Sequence, residues 1–439
     1  MQANAHTPSH IPNSSLALVR HKYTTPRSPR QRSQVAHESQ QTDPLTVRAS
    51  LCAKQTPVFD GRHHPRYSTA TMASFHDVDG TEDSAVIGER LLDWYERHRR
   101  DLPWRHTRDP YAIWVAEIML QQTRVDTVLD YFERFLERFP TLADLAIAPL
   151  DDVLKAWEGL GYYARARNLH KAAQQVLEQK HSEIPDTPKA LRELPGVGRY
   201  TAAAVASIAF GHDAVALDGN LRRVLCRIFA IDDDPGRPNT QRTLEKLAEG
   251  MMPPGRAGDF NQALMDLGAM VCTKTPRCLL CPTSDWCQAN REGIQNELPI
   301  RATRTKRPHR DVTAGVIWDG NGHFLITQRP FDGMLGGLWE FPGGKRRPGE
   351  ALPACLRREI HEELAIEIQI DDLLCRVEHV FTHFYMTLYA FECQWLSGDP
   401  QLLGCADLQW VTLDHLDTYA FPVADQKIIL HLRERLANA

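Results

Sequence analysis

The stretch Leu194–Asn220, LPGVGRYTAAAVASIAFGHDAVALDGN, limits most strongly what this chain can become. Its first half is a Gly-punctuated turn, Pro195-Gly196-Val197-Gly198, that opens directly into an Ala-rich helix. Glycines in such a turn let the backbone come close to a partner, and the free N–H groups at a helix start suit a phosphate. The second half is an apolar run, Ala214 to Leu217, that stops at Asp218-Gly219-Asn220 ahead of another helical pattern. A phosphate-gripping turn followed by one isolated carboxylate points to work on nucleic acid. The same Asp serves equally well as a helix N-cap.

At 439 residues the chain allows two or three domains and a sizeable core. A formal net charge of −5 gives no sign of a nucleic-acid partner, so any basic face must be local. The apolar runs fall far short of a bilayer span, and the expectation is a soluble protein with no membrane partner. Of ten cysteines, four fall between Cys272 and Cys287 and the rest are scattered through apolar segments. Without a secretory hydrophobic region, that clustering favours a reducing compartment and a metal centre.

Residues 1–84 are rich in Ser, Thr, His, Gln and Pro, and read as a disordered extension. Its first 37 residues carry five Lys or Arg and no acid, as a transit peptide would. A flexible tail, or a true start at Met72, accounts for it equally. The compact connection between the later domains favours these readings, with a bacterial, cytoplasmic and nucleoid-associated protein.

From Ser84 to about Asn290 every pattern is helical, with expected helices around 149–158, 165–180, 188–194, 199–210, 220–230, 239–250 and 257–271. Asp109-Pro110 starts another, which reads as one run, YAIWVAEIMLQQTRVDTVLDYF. Glu117 stands in its most apolar part, among Trp114, Val115, Ile118, Met119 and Leu120, and a lone acid is almost never buried without a partner or a purpose. Cys272, Cys278, Cys281 and Cys287 follow with the spacing C-x5-C-x2-C-x5-C, which wraps either one iron–sulfur cluster or one Zn²⁺. A basic linker, RATRTKRPHR, then leads into strands over Val312–Trp318 and Phe324–Gln328 joined by the hairpin turn Asp319-Gly320-Asn321-Gly322. A Gly-rich loop, a helix and further strand patterns such as Tyr385–Phe391 make this second region α/β.

Several stretches together resemble the MutY family of adenine DNA glycosylases. They are LPWR at 102–105, EIMLQQT at 117–123, GLGYYARARNLHKAA at 159–173, LPGVGRYTA at 194–202, LDGN at 217–220, FNQALMDLGAMVC at 260–272 and the cysteine cluster. The likeness runs from about residue 88 to the C-terminus. It implies a multi-domain chain: an all-α helix-hairpin-helix DNA glycosylase domain over 85–295, a basic linker over 296–310 and an α/β Nudix (MutT-like) domain over 311–436. It implies a 4Fe–4S cluster on Cys272, Cys278, Cys281 and Cys287, although the family usually has six residues between the first two cysteines, not five. It also implies a monomer acting on double-stranded DNA that contains adenine opposite 8-oxoguanine or guanine.

Roles carry over residue by residue. Burial in an apolar wall raises the pKa of Glu117 and lets it act as the acid that protonates adenine at N7. Asp218 matches the carboxylate that stabilises or attacks the sugar cation, with Tyr200 and Asn220 orienting the two acids. Gln262 matches the contact to the flipped base, and Gln122 and Tyr162 match the wedge that fills the gap. Arg105, Gly196 and Gly198 fall among the DNA contacts. Tyr200 stands where the endonuclease III family has a Schiff-base lysine, so the resemblance implies a monofunctional enzyme.

In the second domain, residues 344–366 fit the Nudix box G-x5-E-x7-R-E-U-x-E-E-x-G-U, with Ala365 for the last Gly. Glu359, Glu362 and Glu363 fall on one helical face and could share Mg²⁺, or simply form a solvated acidic surface. Phe381-Thr382-His383 matches the Phe-Ser-His loop that touches 8-oxoguanine. Two other readings stand beside this one: a Nudix nucleotide pyrophosphatase carried on a DNA-binding helical module, and a catalytically silent lesion binder. Glu117 and Asp218 speak against the silent reading.

Overall fold

The computed structural model describes residues 81–179, 183–300 and 306–437. The expected disordered extension lies outside these up to residue 80, as do residues 301–305 of the linker. From Thr81 to Glu292 the described residues form helices and turns, with no strand: α1 (Thr81–His98), α2 (Pro110–Leu120), α3 (Val125–Arg138), α4 (Leu142–Ile147), α5 (Leu150–Ala156), α6 (Ala164–Glu178), α7 (Pro188–Leu191), α8 (Arg199–Phe210), α9 (Gly219–Ile228), α10 (Pro238–Met251), α11 (Ala257–Asp266) and α12 (Gln288–Glu292).

The expected single helix after Asp109 is two. Asp109 caps α2 by accepting from the backbone N–H of Tyr111 and Ala112, and Pro110 takes the first position, where no N–H is needed. The helix stops at Leu120, Gln122 adopts a left-handed φ of 60°, and α3 begins at Val125. Nothing in the apolar periodicity marks that break. The expected helix over 257–271 also changes character, because after Asp266 it widens into a π turn over Leu267–Val271.

The helices build two cores. One joins α2 to α8 around Trp114, Phe135 and Trp157, and the other joins α1, α9, α10 and α11 around Leu91, Leu225 and Phe260. Asn261 of α11 stitches them together: it is fully buried, donates to Ser207 Oγ and to the Ala214 carbonyl, and accepts from the Ala216 N–H. The extended segment that delivers Asp218 is held this way.

The second region is a mixed sheet between two helices. Its strands are β1 (His309–Trp318), β2 (Phe324–Gln328), β3 (Trp339–Glu340), β4 (Glu367–Val380), β5 (Tyr385–Ser397) and β6 (Asp407–Val411), in the order β3-β2-β1-β5-β4 with β6 also on β2. β1 and β5 are parallel, and the other pairs antiparallel. Alternation along the strands sends Val316, Phe324 and Ile326 toward α14 (Val423–Ala437), and Ile317 and Leu325 toward α13 (Leu352–Leu364).

A polar seam joins sheet and helices. Lys155 donates to the Tyr419 carbonyl and pairs with Glu158, whose other oxygen accepts from the Phe421 N–H. Gln328 donates to Asp151, and Arg167 to the Gly336 carbonyl. Leu338 and Ala420 complete the seam by packing into the first helical core.

Asn261→Ala strands the Ala216 N–H and the Ala214 carbonyl and takes a donor from the Ser207 hydroxyl, which keeps its bond to the Ala204 carbonyl. A loss of at least about 2 kcal/mol is expected from leaving such groups unpaired, measured as a lowered midpoint in denaturant unfolding followed by helical circular dichroism. An unchanged midpoint would remove Asn261 from this role.

Candidate active site

Between the two helical cores lies a cleft of about 550 Å³. One wall is the end of α2 with the turn into α8: Leu120, Gln121, Gln122, Gly196, Gly198, Arg199, Tyr200 and Thr201. The other is the start of α9 with its lead-in, including Leu217, Asp218, Gly219 and Arg222. Gly196 has φ of 76°, and a Cβ there would stand 2.6 Å from that of Asn168, so only glycine fits this turn. Gly198 precedes α8 with no side-chain cap on the helix N–H groups, and open space surrounds it.

Glu117 is not part of the open wall. It is 3% exposed within α2, where every residue from Tyr111 to Met119 is buried. It meets the cleft through Tyr200, whose Oη donates to Glu117 Oε2 at 2.7 Å. Burial pushes the Glu117 carboxyl up to about 7; the Tyr200 hydrogen bond opposes that rise, the nearby Asp218 charge adds to it, and Arg105 opposes it again. At neutral pH a large fraction of this group carries its proton.

Asp218 is the N-cap of α9. Its Oδ1 accepts from the Leu221 N–H at 2.7 Å, and its Oδ2 accepts from Asn220 Nδ2 at 3.0 Å. Burial raises this carboxyl too, but the backbone N–H groups of Leu221 and Asn220 and the charge of Arg223 pull the other way. These donors and the positive end of α9 favour the anionic form, although burial outweighs them and the carboxyl stays above its ordinary range. Arg223 donates to the Asn220 carboxamide oxygen and to the Gly268 and Cys272 carbonyls, which orients Asn220 in turn. The cleft therefore brings together a buried acid and a second carboxyl backed by hydrogen-bond donors, which suits breaking a bond whose leaving group needs a proton and whose other half becomes a cation.

Two of the expected DNA contacts sit elsewhere. Arg105 is no phosphate contact on an open face: its guanidinium is buried and forked onto Asp266, Nη1 to Oδ2 at 2.6 Å and Nη2 to Oδ1 at 2.9 Å. It acts on the site through its charge, with Arg100 on the same carboxylate. Gln262 does not line the cleft; it is buried, with Nε2 donating to the Gly258 carbonyl of its own helix. The Arg105–Asp266 pair, Asn261 and Arg223 escaped the sequence reading, although each lies within or beside a motif it singled out.

The two residues expected to act as a wedge are both exposed and both in left-handed backbone, Gln122 at φ 60° and Tyr162 at φ 50°. Strain of this kind in a residue other than glycine costs about 1 kcal/mol or more and gathers at functional sites. Tyr162 Oη stands 2.6 Å from Thr382 Oγ1, across the seam. Phe381, Thr382 and His383 form the tight link between β4 and β5; Phe381 stacks on Phe384 and meets His379 edge-on, leaving Thr382 and His383 exposed.

The four cysteines line one cavity with Arg227, Arg277 and Gln295. Arg227 donates to Cys272 Sγ at 3.3 Å, and Gln295 Oε1 is buried without a hydrogen-bond partner. Burial pushes the Cys287 thiol up to about 11 and raises Cys278 and Cys281. Among the described residues no three Cys, His, Asp or Glu side chains meet as a single metal ion requires. On the Nudix helix the carboxylates of Glu359 and Glu362, two of the three that could share Mg²⁺ or form a solvated acidic face, are paired with arginines. Arg358 binds Glu359 and Glu362, Arg347 also binds Glu362, and Glu363 is pushed up to about 7 by burial and by Glu340 and Glu359.

Residues 115–249 match the family model of the HhH-GPD superfamily base excision DNA repair protein, and residues 313–431 match that of the NUDIX domain. The adenine DNA glycosylase of Homo sapiens is 35% identical over 82% of this chain and 76% of its own. That of Mus musculus is 36% identical over 82% of this chain and 80% of its own. Among solved structures, a thermostable thymine-DNA glycosylase is 34% identical with a TM-score of 0.45, covering 49% of this chain and all 100% of its own. Similar to the two mammalian adenine DNA glycosylases over 82% of its length, and matching both family models, the chain belongs to the MutY family of adenine DNA glycosylases.

Proposed function

We propose that this protein excises adenine paired with 8-oxoguanine or guanine in double-stranded DNA and leaves an abasic site. The observation that carries the reading is Glu117, a carboxyl held protonated near neutrality by an apolar helix and tethered by Tyr200 at the edge of a cleft that also holds Asp218. In the reaction Glu117 gives its proton to adenine N7. The bond between C1′ and N9 then breaks with its electron pair going to the base, and a cation develops on the sugar. Asp218, whose anionic form its cap hydrogen bonds favour, stabilises that cation or bonds to C1′, and water then supplies the hydroxyl while its proton returns to Glu117. Tyr200 offers no amine, so no Schiff base forms and the strand stays intact.

The cysteine cavity suits a 4Fe–4S cluster better than one Zn²⁺, since four thiols face one space without converging on a point. The thiolates of Cys272, Cys278, Cys281 and Cys287 would hold the cluster, which would cross-link the 272–287 loop and offset part of their negative charge. In the second domain, the exposed Thr382 hydroxyl beside the wedge is the group suited to read the base opposite adenine.

Glu117→Gln keeps duplex binding and lowers single-turnover base release by at least about 100-fold, the contribution of a general acid; a variant at wild-type rate would sink the assignment. In the wild type the rate falls about tenfold per pH unit once Glu117 ionises, above about pH 7. Tyr200→Phe removes a donor that favours the ionised form, so this falling limb moves to higher pH. A limb that stays in place excludes Tyr200 from control of the acid.

Thr382→Ala lowers the preference for 8-oxoguanine over guanine roughly 2- to 13-fold, the worth of one hydrogen bond, read as the ratio of the two cleavage rates. An unchanged ratio counts against the loop. Protein purified without oxygen is expected to show a visible absorption band that dithionite bleaches, with iron and sulfide in equal amounts; a colourless, zinc-loaded protein would replace cluster by zinc.

A further inference from the structure

Arg165, second residue of α6, is buried, yet none of its hydrogen-bond acceptors is a carboxylate. Its Nη1 donates to the carbonyls of Ile118 at 2.9 Å, Met119 at 2.7 Å and Gln121 at 2.7 Å. Its Nη2 donates to Gly161 O at 2.9 Å, Thr123 Oγ1 at 3.2 Å and Leu160 O at 3.4 Å, and Nε reaches Tyr162 O at 3.4 Å. One guanidinium thus gathers the end of α2 and the 160–162 loop, and it lies 5.3 Å from the Trp157 ring centre and 5.4 Å from that of Tyr162. Burial without a counter-ion pushes its pKa down to about 10, so the group stays charged at neutral pH.

The acceptors flank the two strained residues. Gln121 and Thr123 bracket Gln122, and Leu160, Gly161 and Tyr162 itself make the other turn, so both left-handed side chains project from backbone that Arg165 holds. Carbonyls turned away from a helix ladder need donors, and a planar fork with donors on three nitrogens serves two segments at once. A lysine ammonium is one point and cannot span them.

We infer that Arg165 is the positioning residue of the wedge: it locks Gln122 and Tyr162 into one unit, and so governs extrusion of the adenine rather than cleavage of its glycosidic bond. This rests on the proposed adenine excision. The test uses full-length protein in single-turnover cleavage of two duplexes. One holds adenine opposite 8-oxoguanine; the other holds it opposite a tetrahydrofuran abasic analogue, where no partner base keeps it in place.

R165K is expected to slow the paired substrate at least tenfold more than the unpaired one, as Tyr162→Ala does. Equal losses on both, or no loss, overturn the inference, since a general structural role would slow both alike. Should R165K fail to fold, Thr123→Val removes a single acceptor and carries the same asymmetry at a few-fold; equal rates there overturn the inference as well. Wild-type protein that released adenine from neither duplex would instead refute the excision reading itself.

Discussion

A carboxyl group keeps its proton near neutral pH only where its charged form is denied water, and the architecture around Glu117 follows from that requirement. α2 is buried from Tyr111 to Met119, so the Glu117 carboxyl is cut off from water and has the Tyr200 hydroxyl as its hydrogen-bond partner. The nearest cation, Arg105, would undo this if it were free to pair with Glu117. Asp266 prevents it: fully buried, it occupies both ends of the Arg105 fork and takes Arg100 as well. The result is a cation close enough to modulate the acid but committed elsewhere. Breaking such a buried pair by removing one partner costs several kcal/mol, which makes Asp266 part of the site although it lies outside the cleft.

Asp218 answers the opposite need with opposite means. Where Glu117 is surrounded by hydrocarbon, Asp218 is surrounded by donors, the Leu221 N–H and the Asn220 amide, at the positive end of α9. The two roles that its sequence context allowed, cap and catalyst, are therefore one arrangement: the hydrogen bonds that start the helix are those that hold the charge. Burial raises both carboxyls, but Asp218 has several donors that oppose the rise and Glu117 has the Tyr200 hydroxyl, and that difference lets the two divide the work of acid and anion.

The α/β region enters this scheme through the helical one. The seam runs from Asp151 through Lys155 and Glu158 to Arg167, a single stretch of chain that also carries Tyr162. The loop that projects the wedge is thus framed by contacts to the sheet on both sides, and its tip touches Thr382. The proposed wedge and the exposed Thr382 hydroxyl thus meet on a stretch of chain, residues 151–167, that also carries the seam.

Much of this was legible in the chain itself. Burial of Glu117 followed from its apolar surroundings, the Gly196 turn from its spacing, the strands from their alternation, and the cysteine grouping from its spacing. What escaped reading depends on residues distant in sequence. The break after Leu120 has no local signal, because a guanidinium 45 residues away takes up the carbonyls it frees. Arg105 looked like a free DNA-binding cation because Asp266, 161 residues on, was not visible beside it. The acidic face of the Nudix helix looked ready for a metal because the arginines that quench it are set by packing. Local pattern determined which elements form, since helix caps, turns and alternation are short-range. Which buried charges are paired, and which turns are held strained, only the tertiary structure decided, because both require partners that the fold alone brings within a few ångströms.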